Sequence, residues 1–133
     1  MVEFAIGSTV LIMFILGIIE FGFLWYQKQM ITNASREGAR YGVTYQTTSA
    51  GTRLAPKNYN PSIQSVVANY LNGRIPTDSY NTTVVDNTAY QTGNKGENLI
   101  IQVTCQNKMD LLSGFIPSLA NITFSAQTIM KCE

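Results

Sequence analysis

The hydrophobic pattern divides the chain into one continuous apolar segment and a longer stretch in which apolar and polar residues alternate. The apolar segment, residues 4–26, reads FAIGSTVLIMFILGIIEFGFLWY and contains a single charged residue, Glu20. As a helix rising about 1.5 Å per residue it is roughly 35 Å long, enough to cross a hydrocarbon layer of about 30 Å. The alternative is a buried helix of a soluble domain, but 133 residues form too small a core to surround a helix that is apolar on every side. The pattern therefore predicts a membrane-spanning helix.

The flanks of this segment favour an anchor that stays in the mature protein. A cleavable signal peptide has basic residues before a shorter apolar run and small residues after it. Here no Lys or Arg precedes Phe4, and the bulky Trp25 and Tyr26 close the segment. These aromatic side chains are typical of the membrane–water interface.

The helical pattern continues beyond the apolar segment. Residues 27–45 contain no Pro, and the sequence predicts one helix from about Glu3 to about Tyr45. Its N-terminal half is apolar on all sides and its C-terminal, or rear, half is amphipathic. We expect two parts: residues 1–26, which project, and residues 27–133, a globular head that includes the amphipathic rear of the helix. The small or apolar residues that mark the rear helix face are Met30, Ile31, Ala34, Gly38, Tyr41 and Tyr45.

Shorter periodic segments follow a polar loop at residues 47–60. Asn60 and Pro61 form a cap and first-turn pair, which predicts a helix over residues 61–72 with Gly73 as its stop. Three strands are predicted after this helix: 82–90 and 99–106, joined by a hairpin turn at 91–97, and a last strand at 121–132. A short helical turn within 108–119 is predicted to cover the sheet. This order predicts an α+β fold: a long N-terminal hydrophobic helix, then a small domain with one helix and a three-stranded sheet.

Composition excludes several classes of function. Charged residues make up 13% of the chain and the net charge is +1, so there is no basic surface for nucleic acid. Histidine is absent, which removes the commonest general base and metal ligand and makes a Ser–His–Asp arrangement impossible. We therefore expect no enzyme, no catalytic residues, no cofactor or metal site and no small-molecule substrate.

The two cysteines, Cys105 and Cys132, have neither a C-x-x-C nor a zinc-binding spacing. Both are in phase with the apolar face of their predicted strands, so two buried free thiols are one interpretation. An antiparallel hairpin would place them roughly 30 Å apart, too far for a bond. If residues 107–120 cross over and the two strands run parallel, the thiols lie at the same end. We expect this second arrangement and an intramolecular disulfide, since a domain outside the cytoplasm permits one.

Three N-x-Ser/Thr triplets begin at Asn33, Asn81 and Asn121. Asn81 alone lies in a predicted exposed loop, and it is therefore the candidate for glycosylation.

Three segments resemble TadE-like pilins, which are subunits of tight-adherence systems, a branch of type IV pili. They are VEFAI at 2–6, GIIEFGFLWYQKQMITNASREGARYG at 17–42 and TFSAQTIMKCE at 123–133. The resemblance implies a pilin-like helix, a leader removed by a prepilin peptidase, and anchoring in the inner membrane before assembly. It also implies that the assembly machinery packs copies of the chain into a helical filament on the cell surface.

Five residues of the apolar helix are candidates for assembly. Glu3 matches the family acid that pairs with the terminal amine of a neighbouring subunit, although it is third in this chain and the family acid is usually fifth in the mature one. Glu20 is costly inside a membrane segment unless it is paired or neutral, and a neighbouring subunit supplies a place for a partner. Gly7, Gly17 and Gly22 suit close packing of helices.

Two functions remain at this point. The first is a structural filament subunit that polymerises through its N-terminal helix for surface adhesion. The second is a single-pass anchored domain outside the cytoplasm that binds a surface partner as a monomer. Glu20 favours the first, because a lone anchor offers this carboxyl no partner in the membrane.

Overall fold

The computed structural model describes residues 2–76, 79–85, 87–107 and 121–132. A long N-terminal apolar helix leads into a small domain with a helix and a three-stranded antiparallel sheet, so the predicted α+β class is confirmed. The elements are α1 (Val2–Val43), a 3-10 helix (Pro56–Asn58), α2 (Ile63–Leu71), β1 (Tyr80–Val84), α3 (Thr88–Thr92), β2 (Asn98–Asn107) and β3 (Ile122–Lys131).

Helix α1 is continuous, as its lack of Pro predicts, and it ends two residues before the predicted Tyr45. Glu3 lies in its first turn and Arg40 in its last, the positions where these charges complement the helix dipole. Its length and composition would allow it to cross a membrane. The rear half of α1 packs on the rest of the head, and its Ile31 and Ala34 are fully buried there.

The sheet has the order β1-β2-β3, and both pairs of neighbouring strands are antiparallel. Alternate residues of β2 point to α1 and α2 and are fully buried, as predicted for this strand: Leu99, Ile101, Val103 and Cys105. The hydroxyls of Ser35 on α1 and Thr128 on β3 are 2.8 Å apart and form a hydrogen bond inside this layer.

Two glycines of α1 allow the helix to approach the core closely. A Cβ added to Gly42 would lie closer than 3.0 Å to the side chains of Leu99 and Ile63, and one added to Gly38 would meet Val67 as closely. Ile63 and Val67 belong to α2, so these glycines set the distance between the two helices.

The start of α2 differs from the prediction by two residues. Ser62, and not Asn60, is the N-cap, and its hydroxyl accepts a hydrogen bond from the backbone N–H of Ser65. The C-terminal signal is confirmed, because Gly73 has a φ of 74° just after the C-cap Asn72.

The predicted strand 82–90 is wrong in its second half. Strand β1 ends at Val84, and Thr88–Thr92 form the one-turn helix α3. The side chain of Asn87 accepts from the N–H of Tyr90, and Gly93 ends the turn in the left-handed region. These two local signals outweigh the strand preference of Thr and Tyr, so a helical turn replaces the simple hairpin. The helical turn predicted within 108–119 lies outside the described residues.

The register overturns the expected disulfide. Cys105 is paired with Phe124 in the antiparallel β2–β3 ladder, whereas Cys132 exchanges backbone hydrogen bonds of 2.8 Å with Gly96 and Glu97 at the other end of β2. Eight residues of strand, about 27 Å, separate these positions. Both thiols are free and buried, and burial raises the pKa of each above its ordinary value. The parallel crossover is therefore wrong, and the antiparallel alternative is observed.

Candidate assembly surface on the N-terminal helix

The part of α1 before Gln27, here called the front half (residues 3–26), projects from the head. Most of its large side chains are exposed, with Phe4 82%, Phe14 69% and Trp25 60% accessible. Such a surface is stable only in lipid or against other apolar helices. The described part of the head leaves this surface uncovered, so it is accessible to lipid or to another molecule.

The glycines of the front half differ from those of the rear. A Cβ added to Gly7 or Gly22 would meet nothing within 4 Å, so both positions are open to a neighbouring helix. Gly17 is half-buried. The rings of Phe21 and Trp25, one turn apart, lie 6.4 Å from each other and form an exposed aromatic ridge beside Gly22.

Glu3 is exposed in the first turn of α1, and no described residue forms an ion pair with it. Its carboxylate stands next to the exposed Phe4, at the tip of the front half farthest from the head. This position leaves it open to a positive group of another molecule.

Glu20 lies on a different side of the helix from the most exposed apolar residues. It is half-buried, and it belongs to a stripe of half-buried or buried residues at three-to-four spacing that leads into the face packed on the head. The stripe consists of Leu16, Gly17, Glu20, Leu24 and Gln27. The sequence analysis did not predict that Glu20 lies on the half-buried side of the helix. The three-to-four spacing that places Ile31 and Ala34 on one helix face continues towards the N-terminus as far as Glu20, and it could have shown this.

Polar side chains lie at the junction between the two halves. Gln27 is the first fully buried side chain of α1, at 1% accessibility, and its Oε1 has no hydrogen-bond partner among the described residues. Next to it, the Nζ of Lys28 donates to the backbone carbonyl of Ser125 on β3. The Lys28 contact and the Ser35–Thr128 hydrogen bond both join α1 to β3 just behind the front half.

Residues 1–40 match the family model of TadE-like proteins. The match covers the front half and most of the rear half of α1, agrees with the resemblance found in the sequence, and is consistent with a pilus-associated subunit. No curated protein and no solved structure matches the chain. We refer to residues 1–40 as the TadE-like segment.

Just past the TadE-like segment, tyrosine hydroxyls form hydrogen bonds that join the end of α1 to the chain that follows it. The hydroxyl of Tyr41 donates to the carbonyl of Pro61 at 2.9 Å, and that of Tyr59 donates to the carbonyl of Thr44 at 2.7 Å. Their rings meet edge to face, with the ring centres 5.7 Å apart, and burial raises the pKa of the Tyr59 hydroxyl.

A third tyrosine, just past the end of α1, contacts the loop that follows. The guanidinium of Arg53 lies 5.0 Å from the ring centre of Tyr45. Composition does not reveal these pairings, because the loop that supplies Tyr59 has no periodic pattern.

Asn81 is not in a loop, as the sequence suggested, but in strand β1 opposite Thr104. Its side chain is exposed on the sheet face turned away from α1. The accessible side chain leaves glycosylation there a prediction.

Proposed function

We propose that the protein is a structural subunit of a type IV-like, tight-adherence pilus, and that it polymerises through the front half of α1 for surface adhesion. The observation that carries this proposal is the projection from a folded head of a helix whose large apolar side chains are mostly exposed. The same helix carries the family match. A single transmembrane anchor explains the apolar surface, but it gives no reason for open glycines or for a carboxylate at the tip.

Assembly would transfer the front half from lipid to a core of parallel helices from neighbouring copies. Packing there relies on shape, because lipid tails are as apolar as the helices. Gly7 and Gly22 provide the notches into which ridges such as Phe21–Trp25 fit. Because α1 is one continuous helix whose rear half is packed on the head, every head would take the same orientation around the core.

Glu3 would supply the registering contact of the filament. Within an apolar core, a carboxylate at the tip of one helix is stable only with a positive partner, and the terminal amine of a neighbouring subunit is such a group. This proposal includes a prepilin peptidase that exposes that amine and an assembly machinery that draws the subunit from the inner membrane. Neither catalysis nor a cofactor has a part in it.

Electron microscopy of fibres sheared from cells, combined with mass spectrometry of their subunits, tests the proposal. We expect fibres that contain this chain, and their loss when its gene is deleted. A chain found only in the membrane fraction as a monomer, with fibres unchanged by the deletion, would support the anchored-domain alternative.

A further inference from the structure

The outer face of the sheet, turned away from α1 and α2, carries a block of uncharged polar side chains. Its first row crosses all three strands from Asn81 through Thr104 to Ser125, because Thr104 is paired with both of the others. The neighbouring rows are Thr83–Gln102–Gln127 and Gln106–Thr123. All eight residues of the three rows are Ser, Thr, Asn or Gln, and we call this block the polar face.

The polar face is unusual for a surface exposed to water, because solvent-facing positions ordinarily mix positive and negative charges. None of its side chains forms a side-chain hydrogen bond with another residue in the described parts of the chain. Their hydroxyl and amide groups both donate and accept hydrogen bonds. These rows thus present free hydrogen-bonding capacity and contain no charged side chain, although the ammonium of Lys28 reaches the backbone carbonyl of Ser125 at the edge of the face.

A concave site lies at one corner of the polar face. It is a cavity of about 260 Å³ where β1 begins and β2 ends, lined in the described structure by Ser79, Tyr80, Asn81, Thr104 and Gln106. Pockets for drug-sized ligands begin at roughly 300 Å³, so this cavity suits a single small ring. The polar rows lead away from it across strands spaced about 4.8 Å apart.

We propose that the polar face binds a neutral oligosaccharide, with one sugar unit in the cavity and further units along the rows. Sugar hydroxyls both donate and accept, as the side chains here do, and a ligand without charge matches rows whose side chains are all uncharged. A protein partner is disfavoured, because the rows contain no Trp or Arg anchor, and a nucleic acid is disfavoured by the lack of Lys and Arg. The inference rests on the proposed function only for its adhesive setting, and binding by a single subunit needs no filament.

The test uses the full-length chain in a zwitterionic detergent without a sugar headgroup. Binding to tetrasaccharides of glucose, mannose, galactose and N-acetylglucosamine is measured by calorimetry, with sialyllactose as the charged comparison. Two variants carry the same change at exposed glutamines: Gln106→Lys at the cavity, and Gln64→Lys on α2 as the matched control. Circular dichroism checks that both retain the fold.

We expect at least one neutral tetrasaccharide to bind, and Gln106→Lys to weaken it at least about tenfold, the effect of losing one good hydrogen bond and crowding the site. Gln64→Lys should leave binding unchanged.

The proposal is overturned if no neutral tetrasaccharide binds, if sialyllactose binds in preference, or if both variants bind like the parent. Self-association that Gln106→Lys abolishes, without sugar binding, would instead assign the face to contacts between copies. Failure of fibre formation with intact sugar binding would contradict the filament proposal and leave this one standing.

Discussion

Along α1, the front half (residues 3–26) and the rear half (residues 27–43) differ in what surrounds them although both belong to one unbroken helix. The rear half buries Ile31, Ala34 and Ala39 against the sheet and α2, and its glycines touch other side chains of the same molecule. The front half exposes Phe4 and Phe14, and a Cβ added to its Gly7 or Gly22 would meet nothing within 4 Å. The rear half is specified by tertiary contacts within the chain, whereas the front half makes few such contacts and, on the proposal above, meets other molecules.

This difference implies that the two halves respond differently to the same kind of mutation. Changes in the rear half should act on the stability of the head. Changes in the front half should act on membrane insertion and assembly and leave the head intact. The predictions below follow this division from the largest expected effect to the smallest.

Deletion of residues 1–26 should produce a soluble, monomeric head that forms no filaments, because it removes the uncovered apolar surface and leaves the packed core in place. Analytical ultracentrifugation and circular dichroism of the purified fragment check both parts. Filaments grown from the fragment would locate the assembly contacts elsewhere.

A lysine introduced into each half should break a different property. Ile31→Lys buries a charge in the head core and should abolish the folded head. Phe14→Lys should leave the melting of the head unchanged but should oppose membrane insertion by roughly 2.5–3.5 kcal/mol. Thermal melts and membrane fractionation of both variants make the comparison, and equal loss of head stability in the two would remove the distinction between the halves.

Glu3→Ala should reduce assembly without unfolding the head. Removing one partner of a buried ion pair typically costs about 3–5 kcal/mol, because the other charge is left alone. Fibre yield after shearing is the measurement, and the melting temperature of the head is the control. A normal yield would exclude the pairing role of this carboxylate.

Adding one methyl group at a glycine should give the smallest and most selective effects. Gly42→Ala places a Cβ closer than 3.0 Å to Leu99 and Ile63, and it should lower the free energy of unfolding of the head by about 1–3 kcal/mol. Gly22→Ala has open space around it and should leave that free energy unchanged while lowering fibre yield. Chemical denaturation of the two variants tests the pair, and destabilisation by Gly22→Ala would contradict it.

Sequence reasoning predicted the features that depend on local pattern. The length of α1, the buried alternation of Leu99, Ile101 and Val103, and the stop at Gly73 all follow from periodicity and from the preferences of single residues. The same reasoning identified the TadE-like segment by its residues.

The errors arose where two weak local signals competed or where the topology was decisive. Asn87 and Gly93 made a helical turn out of a segment rich in strand formers. The positions of Cys105 and Cys132 depend on the direction of β3, and apolar phase alone does not determine that direction. The polar face requires the register of three strands, since Asn81, Thr104 and Ser125 are far apart in sequence and become neighbours only in the sheet.

The central claim is that the front half of α1 is the surface through which copies of the chain assemble. A cryo-electron microscopy reconstruction of the sheared fibres tests it most directly. The account predicts a core made of parallel front halves, with Gly7 and Gly22 at helix–helix contacts and the heads outside in one orientation. A fibre held together by contacts between heads, with residues 4–26 outside the core, would contradict it.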